Sequence, residues 1–201
     1  NVTALLPAKP AIEVPASTIS SRQLSFFEGE RCSDVTFKVK GVLIKAHSQV
    51  LAAHSEVFER QFFGGLQESL SKEVVIEDVD PKIFKGFLKF LYTDDLEQVQ
   101  STIKECRQSS GPSDSTGSTS SVSASATEIS LLQDVLSVSH KYQVERLLMW
   151  CQQQLCEHIT EDEVLSVLCQ AHLCEAQHLE DMCLSYIKEH MKKIAATKDF
   201  A

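Results

Sequence analysis

Residues 34–63, DVTFKVKGVLIKAHSQVLAAHSEVFERQFF, change their hydrophobic period partway along, and that change decides the fold. Val35, Phe37 and Val39 alternate with Thr36 and Lys38, the two-residue repeat of a strand with one buried face. Lys40-Gly41 reads as a turn and Val42-Leu43-Ile44 as a returning strand, which together describe a β-hairpin. The part beginning at Lys45 switches to helical spacing. Val50, Leu51, Val57, Phe58 and Phe62 suit two short helices joined near His54-Ser55, with Ser55 placed to start the second.

Working outward, Gly64-Gly65 ends the helical pair and EVVIEDV is a brief strand. Asp80-Pro81 opens a helix, with Asp as cap and Pro at the first position. Ile83, Phe84, Phe87, Leu88 and Leu91 give that helix a strong apolar face. Upstream, Ser17 or Ser20 caps a short helix reaching Phe27. Residues 1–16, with Pro7, Pro10 and Pro15, read as an extended linker. A disordered Ser/Thr-rich insertion is expected over 101–127. Its composition is most biased at 109–127, where 12 of 19 residues are Ser or Thr and no apolar period offsets the entropy of ordering. Helices follow at about 128–139, 143–157, 161–172 and 175–194, the third opened by a capping box at Thr160–Glu163. The expected organisation is a linker at 1–16, a domain at 17–157 and a helical extension at 158–201.

Composition narrows the function. The net charge is −9 with no basic run, which disfavours nucleic acid as the ligand. No run of 18 apolar residues exists, so a membrane span is not expected, and the N-terminus does not read as a signal peptide. Five of the seven cysteines fall in helices after residue 150, a pattern of packed, reduced thiols in nucleus or cytoplasm. Cys151 and Cys156, like Cys169 and Cys174, are five apart and so sit about 140° apart on a helix, unlike zinc ligands. No metal, no cofactor and no intrinsic catalysis are expected, and His47 reads as a packed histidine at a helix entry.

The run CSDVTFKVKG…KAHSQVLAAHSEVFERQFF…VVIEDVDPKIFKGFLKFLYTD resembles the BTB/POZ domain. SEVFERQFFG, EDVDPKIFKGFLKFLYTD and HKYQVERL narrow the resemblance to the MATH–BTB group of speckle-type POZ proteins and their plant relatives. The resemblance implies an α+β fold, a small β-sheet flanked by helical hairpins, with a C-terminal α-helical BACK-like extension. The group's MATH domain, which holds substrates, is missing from this chain, so protein substrates would be held by a domain outside it. Leu66-Gln67-Glu68 matches the hydrophobic-x-Glu pattern of cullin-3-binding members, an apolar anchor backed by a carboxylate. Tyr92 and Asp94 are further candidates for that surface. Leu24, Phe26 and Phe27 crowd a short first helix. The resemblance makes it the homodimer contact, with Val50 beneath and Asp34 in support. The expected function is therefore a non-catalytic adaptor that joins cullin-3 to substrates in a ubiquitin ligase; the alternative is an oligomerising scaffold or transcriptional co-regulator that binds no cullin.

Overall fold

Three strands form one sheet in the order β2–β1–β3, and its pairing follows the alternation in the sequence. The computed structural model describes residues 17–65, 71–109 and 123–194. β1 (Val35–Val39) runs antiparallel to β2 (Val42–Ala46), with Phe37 opposite Ile44. Lys40 and Gly41 both have positive φ, the conformation a two-residue hairpin turn requires, and glycine adopts it without strain. β3 (Glu73–Ile76) joins β1 in parallel, with Phe37 opposite Val74. One face, bearing Val35, Phe37, Val39, Ile44, Val74 and Ile76, is buried.

Helices cover that face. α1 (Ile19–Glu28) precedes the sheet, and α2 (Ser48–His54) and α3 (Glu56–Phe63) form the hairpin between β2 and β3. α4 (Pro81–Thr93) and α5 (Leu96–Ser109) follow, then α6 (Ser123–Lys141), α7 (Glu145–Glu157), α8 (Val164–Leu173) and α9 (Gln177–Ile194). Phe37 is fully buried, with the rings of Phe58, Phe62 and Phe84 edge-on around it. Tyr142, beyond the end of α6, stacks on Phe58 at 4.2 Å. Ser55 fastens this cluster at both ends: its oxygen accepts from the Phe58 N–H, and its hydroxyl donates to the Tyr142 carbonyl at 2.6 Å. Asp80 caps α4 as expected, accepting from the Lys82 N–H at 2.8 Å.

Three local expectations are corrected. Residues 101–109, expected in the insertion, are helical: Val99, Ile103 and Cys106 recur at one-turn spacing and are buried. Three apolar side chains suffice to hold a segment that is otherwise polar. Arg107 of α5 then pairs with Glu128 of α6 at 2.6 Å, and α6 begins at Ser123, inside the expected insertion. The Thr160–Glu163 capping box does not form. Residues 161–163 are a turn and α8 starts at Val164, with no side-chain cap bond. Ser20 does not cap α1: it lies inside the helix and donates to the Thr93 carbonyl at 3.4 Å. Thr18 holds the position before the helix, and the Ser17 hydroxyl oxygen accepts from the Ile19 N–H at 3.5 Å. Residues 1–16, 110–122 and 195–201, and with them the expected linker and most of the Ser/Thr tract, lie outside the described residues.

Candidate functional site

The residues expected at a surface divide into those the fold exposes and those it buries. Around α1, Phe27 is 3% exposed and meets Tyr92 at 4.8 Å between ring centres. Phe26 stacks on the His47 ring at 4.0 Å. His47 has both ring nitrogens engaged. Nε2 lies 2.7 Å from the Arg31 carbonyl, which can only accept, so Nε2 carries the proton. Nδ1 is then an acceptor, and the Tyr92 hydroxyl, 2.6 Å away, donates to it. The same phenol oxygen accepts from the His47 backbone N–H at 2.9 Å. Burial raises the Tyr92 pKa to about 12, against a smaller lowering by that N–H.

Tyr92 and Phe27 are therefore corrected as surface candidates: within a single chain both are core. Their burial leaves Leu24, Phe26 and Val50 as the partly exposed members of the expected dimer face. Glu28 of α1 also pairs with Lys89 of α4 at 3.0 Å, so α1 is anchored along its length.

Asp34 lies at the entry to β1 and reaches the start of α2. Its Oδ1 accepts from the Ser48 N–H at 2.7 Å and its Oδ2 from the Ser48 hydroxyl at 2.5 Å. Partial desolvation raises its pKa, but the two bonds from Ser48 and the nearby Lys72 outweigh that, and the net shift is downward. Asp34 thus caps α2 from another element, supplying the acceptor that orphan amides at a helix start require. Lys72 lies 3.5 Å from both the Ser48 hydroxyl and the Phe62 carbonyl, with its ammonium 4.8 Å from the Phe63 ring centre.

Phe63 itself is 56% exposed. The chain thus leaves α3 at the surface, through the exposed Gly64 and Gly65. Leu66, Gln67 and Glu68 come next in sequence and lie outside the described residues.

Asp94 is exposed. It ends α4 in the left-handed conformation, and its carboxylate pairs with Arg146 of α7, which also donates to the Asp94 carbonyl at 2.9 Å. Beside this pair lies a groove of about 410 Å3 between α7 and α9, lined by Leu96, Met149, Trp150, Cys156 and Met182. Gln152 also lines it, and its buried Oε1 has no hydrogen-bond partner among the described residues. The sequence reading missed this groove. Its signal was Met149, which stands off the buried Leu147–Cys151–Leu155 stripe and is 55% exposed.

The cysteines behave as packing groups. Burial raises the pKa of Cys151 and Cys174, and that of Cys183 to about 12, so none of these three is a poised thiolate. Among the described residues no three His, Cys, Asp or Glu side chains group as metal ligands, and no helix is long and apolar enough to cross a membrane.

These features can be set beside known proteins. Residues 24–110 match the BTB/POZ domain family. The chain is similar to BTB/POZ and MATH domain-containing protein 4 of Arabidopsis thaliana, 34% identical over 96% of this chain and 39% of that protein. BTB/POZ and MATH domain-containing protein 3 of the same plant is 32% identical over 90% of this chain and 40% of its own length. The chain thus spans about two fifths of these curated relatives. Among solved structures, the BTB domain of zebrafish PATZ1 aligns with a TM-score of 0.45 and 20% identity, over 73% of this chain and 99% of that one. With its three-stranded sheet, its helical hairpins and a family match that runs from α1 to the end of α5, the chain carries a BTB/POZ domain over residues 24–110.

Proposed function

We propose that the chain is the dimerising, cullin-3-recruiting module of a ubiquitin-ligase adaptor, acting in the nucleus or cytoplasm and carrying out no chemistry of its own. Such a module works by position: it raises the concentration of a substrate, held by another domain, near the ligase's transferring subunits. The observation that carries the reading is the exposed Asp94–Arg146 pair bordering the apolar groove of Leu96, Met149, Trp150 and Met182. A charged rim beside large apolar side chains is the usual make-up of a protein contact. Leu66-Gln67-Glu68, entered from the exposed end of α3, supplies the second anchor of the proposed cullin surface. Leu24 and Phe26 on α1, with Val50 on α2 and Asp34 holding α2 in place, form the proposed dimer face.

Calorimetric titration with the N-terminal region of cullin-3 tests the reading. Wild type binds, and Leu66→Asp with Glu68→Lys weakens binding by roughly a hundredfold or more, as loss of a central anchor does. Met149→Glu weakens it too, while light scattering still finds a dimer. A wild-type chain that dimerises but gives no heat with cullin-3 overturns the adaptor reading in favour of an oligomerising scaffold. A monomeric wild type overturns the dimer face.

A further inference from the structure

The sheet has an open edge at β2. The Thr36 and Lys40 N–H groups donate to the carbonyls of Lys72 and Ile76, at 2.9 and 3.0 Å, and so face β3. Phe37 and Val39 therefore turn their backbone groups to β2, where they meet Ile44 and Val42. Leu43 and Lys45 alternate with these partners, so their N–H and C=O groups point away from β1, with no bond among the described residues. Unpaired peptide groups along an edge strand are a template for one more strand. Their side chains stand on the outer face of the sheet, opposite to those of Val42 and Ile44.

A groove of about 440 Å3 adjoins this edge, with Phe27, Val42, Ile44, Pro81, Lys82 and Lys85 among its walls. The acids around it are each engaged within the chain. Glu30 pairs with Lys45 at 3.1 Å, Glu28 pairs with Lys89 at 3.0 Å, and Asp80 caps α4. Lys85 has no ion pair among the described residues, and Lys82, also exposed, lies one turn before it on α4. The groove thus joins apolar walls to a rim that offers positive charge.

We infer that this edge takes an acidic, extended segment of a partner protein, which adds a fourth strand along β2. This goes beyond the adaptor reading and does not depend on it. Two features choose the occupant. The outward groups of Leu43 and Lys45 can exchange hydrogen bonds only with a chain that presents its own donors and acceptors at strand spacing. On such a chain alternate side chains face the groove. An apolar one fills it against Phe27, Ile44 and Pro81, and a carboxylate at the next groove-facing position meets Lys85. The residue between them stands on the other face, beside Leu43, which is 63% exposed.

Amide exchange on the full chain, read by NMR, tests this with a synthetic probe. The probe is a capped heptapeptide with valine, valine and glutamate at alternate positions and threonines between them. The Leu43 and Lys45 amides are expected to be unprotected in the free chain. Saturating peptide should protect both by about tenfold or more, while Phe37 in β1 keeps the protection it has. Lysine in place of the peptide's glutamate should weaken binding by about tenfold, and Lys85→Glu should reverse that preference. N-methylation throughout the peptide removes its donors and should abolish binding with the protein untouched. Failure of the peptide to protect Leu43 and Lys45, binding indifferent to the charge swap, or binding that survives N-methylation overturns the proposal. Protection of both amides before any peptide is added also overturns it, since the edge is then already taken by this chain or by a second copy.

Discussion

Tyr92 makes two hydrogen bonds through one oxygen, donating to His47 Nδ1 and accepting from the His47 N–H, so Tyr92→Phe orphans two buried groups at once. Leaving a buried polar group unpaired costs about 1–3 kcal/mol, so with two groups orphaned denaturant unfolding should show a loss of roughly 2–6 kcal/mol. Because the phenol is 2% exposed, cullin-3 affinity of the folded variant should be unchanged. A variant of wild-type stability that binds more weakly would return Tyr92 to the surface. Asp34 makes a second prediction at this scale. Its pKa is below the ordinary 3.8, so its folded carboxylate is favoured, and the stability it adds is full at neutral pH. That contribution disappears as pH falls through the lowered value. Asp34→Ala should therefore cost about 0.5–2 kcal/mol at pH 7, in the range of a lost helix cap. The difference from wild type should shrink below about pH 4. A gap that stays constant down to acid would refute the assignment of Asp34 as an ionised cap.

The helices meet closely enough that single atoms count. A Cβ added at Gly86 of α4 would come within 2.8 Å of the Thr102 side chain on α5. Gly86→Ala should thus destabilise by about 1–3 kcal/mol, the usual cost of overpacking, despite alanine's better helix propensity. Thr102→Ala in the same chain should restore most of the loss, and additive effects in a double-mutant cycle would show that the two positions do not touch. This contact also marks where sequence reading runs out. Strands β1 to β3 and the four closing helices were legible because each carries a clean period over several residues. α5 was not, since only Val99, Ile103 and Cys106 keep the period and serines and charges surround them. The start of α8 was misplaced because Thr160-Glu161-Asp162-Glu163 satisfies a local cap pattern while the chain there is still in a turn. For the site, the family pattern singled out Asp94, and the structure finds it exposed and paired with Arg146, a partner that the pattern did not name. The burial of Tyr92 and Phe27 was not, because a short helix with three large apolar groups does not reveal which group the neighbouring helix claims. The groove between α7 and α9 depends on two elements that are distant in sequence, so no local pattern announces it.

At the scale of the molecule, the parts are joined unequally. The α8–α9 hairpin meets α6 partly through a polar seam, with Gln170 donating to Ser137 at 2.5 Å and Gln133 to Ser166 at 3.2 Å. The sheet, by contrast, is sealed by phenylalanine rings. Val164, Val167, Ala171 and Leu179 are buried in the hairpin but are smaller than the rings over β1, so hydrogen exchange should rank α8 and α9 below β1 in protection. Equal protection throughout would mean the hairpin unfolds only with the rest.

The position of β1 has a consequence for synthesis. β1 is the central strand, yet its parallel neighbour β3 lies beyond the whole α2–α3 hairpin. As the chain leaves the ribosome at about 5–20 residues per second, β1 waits several seconds with one edge bare and Phe37 uncovered. In that interval the nascent chain offers a sticky strand to any neighbour; the emergence of Ile76 closes that edge, and Phe37 stays partly bare until Phe84 of α4 follows.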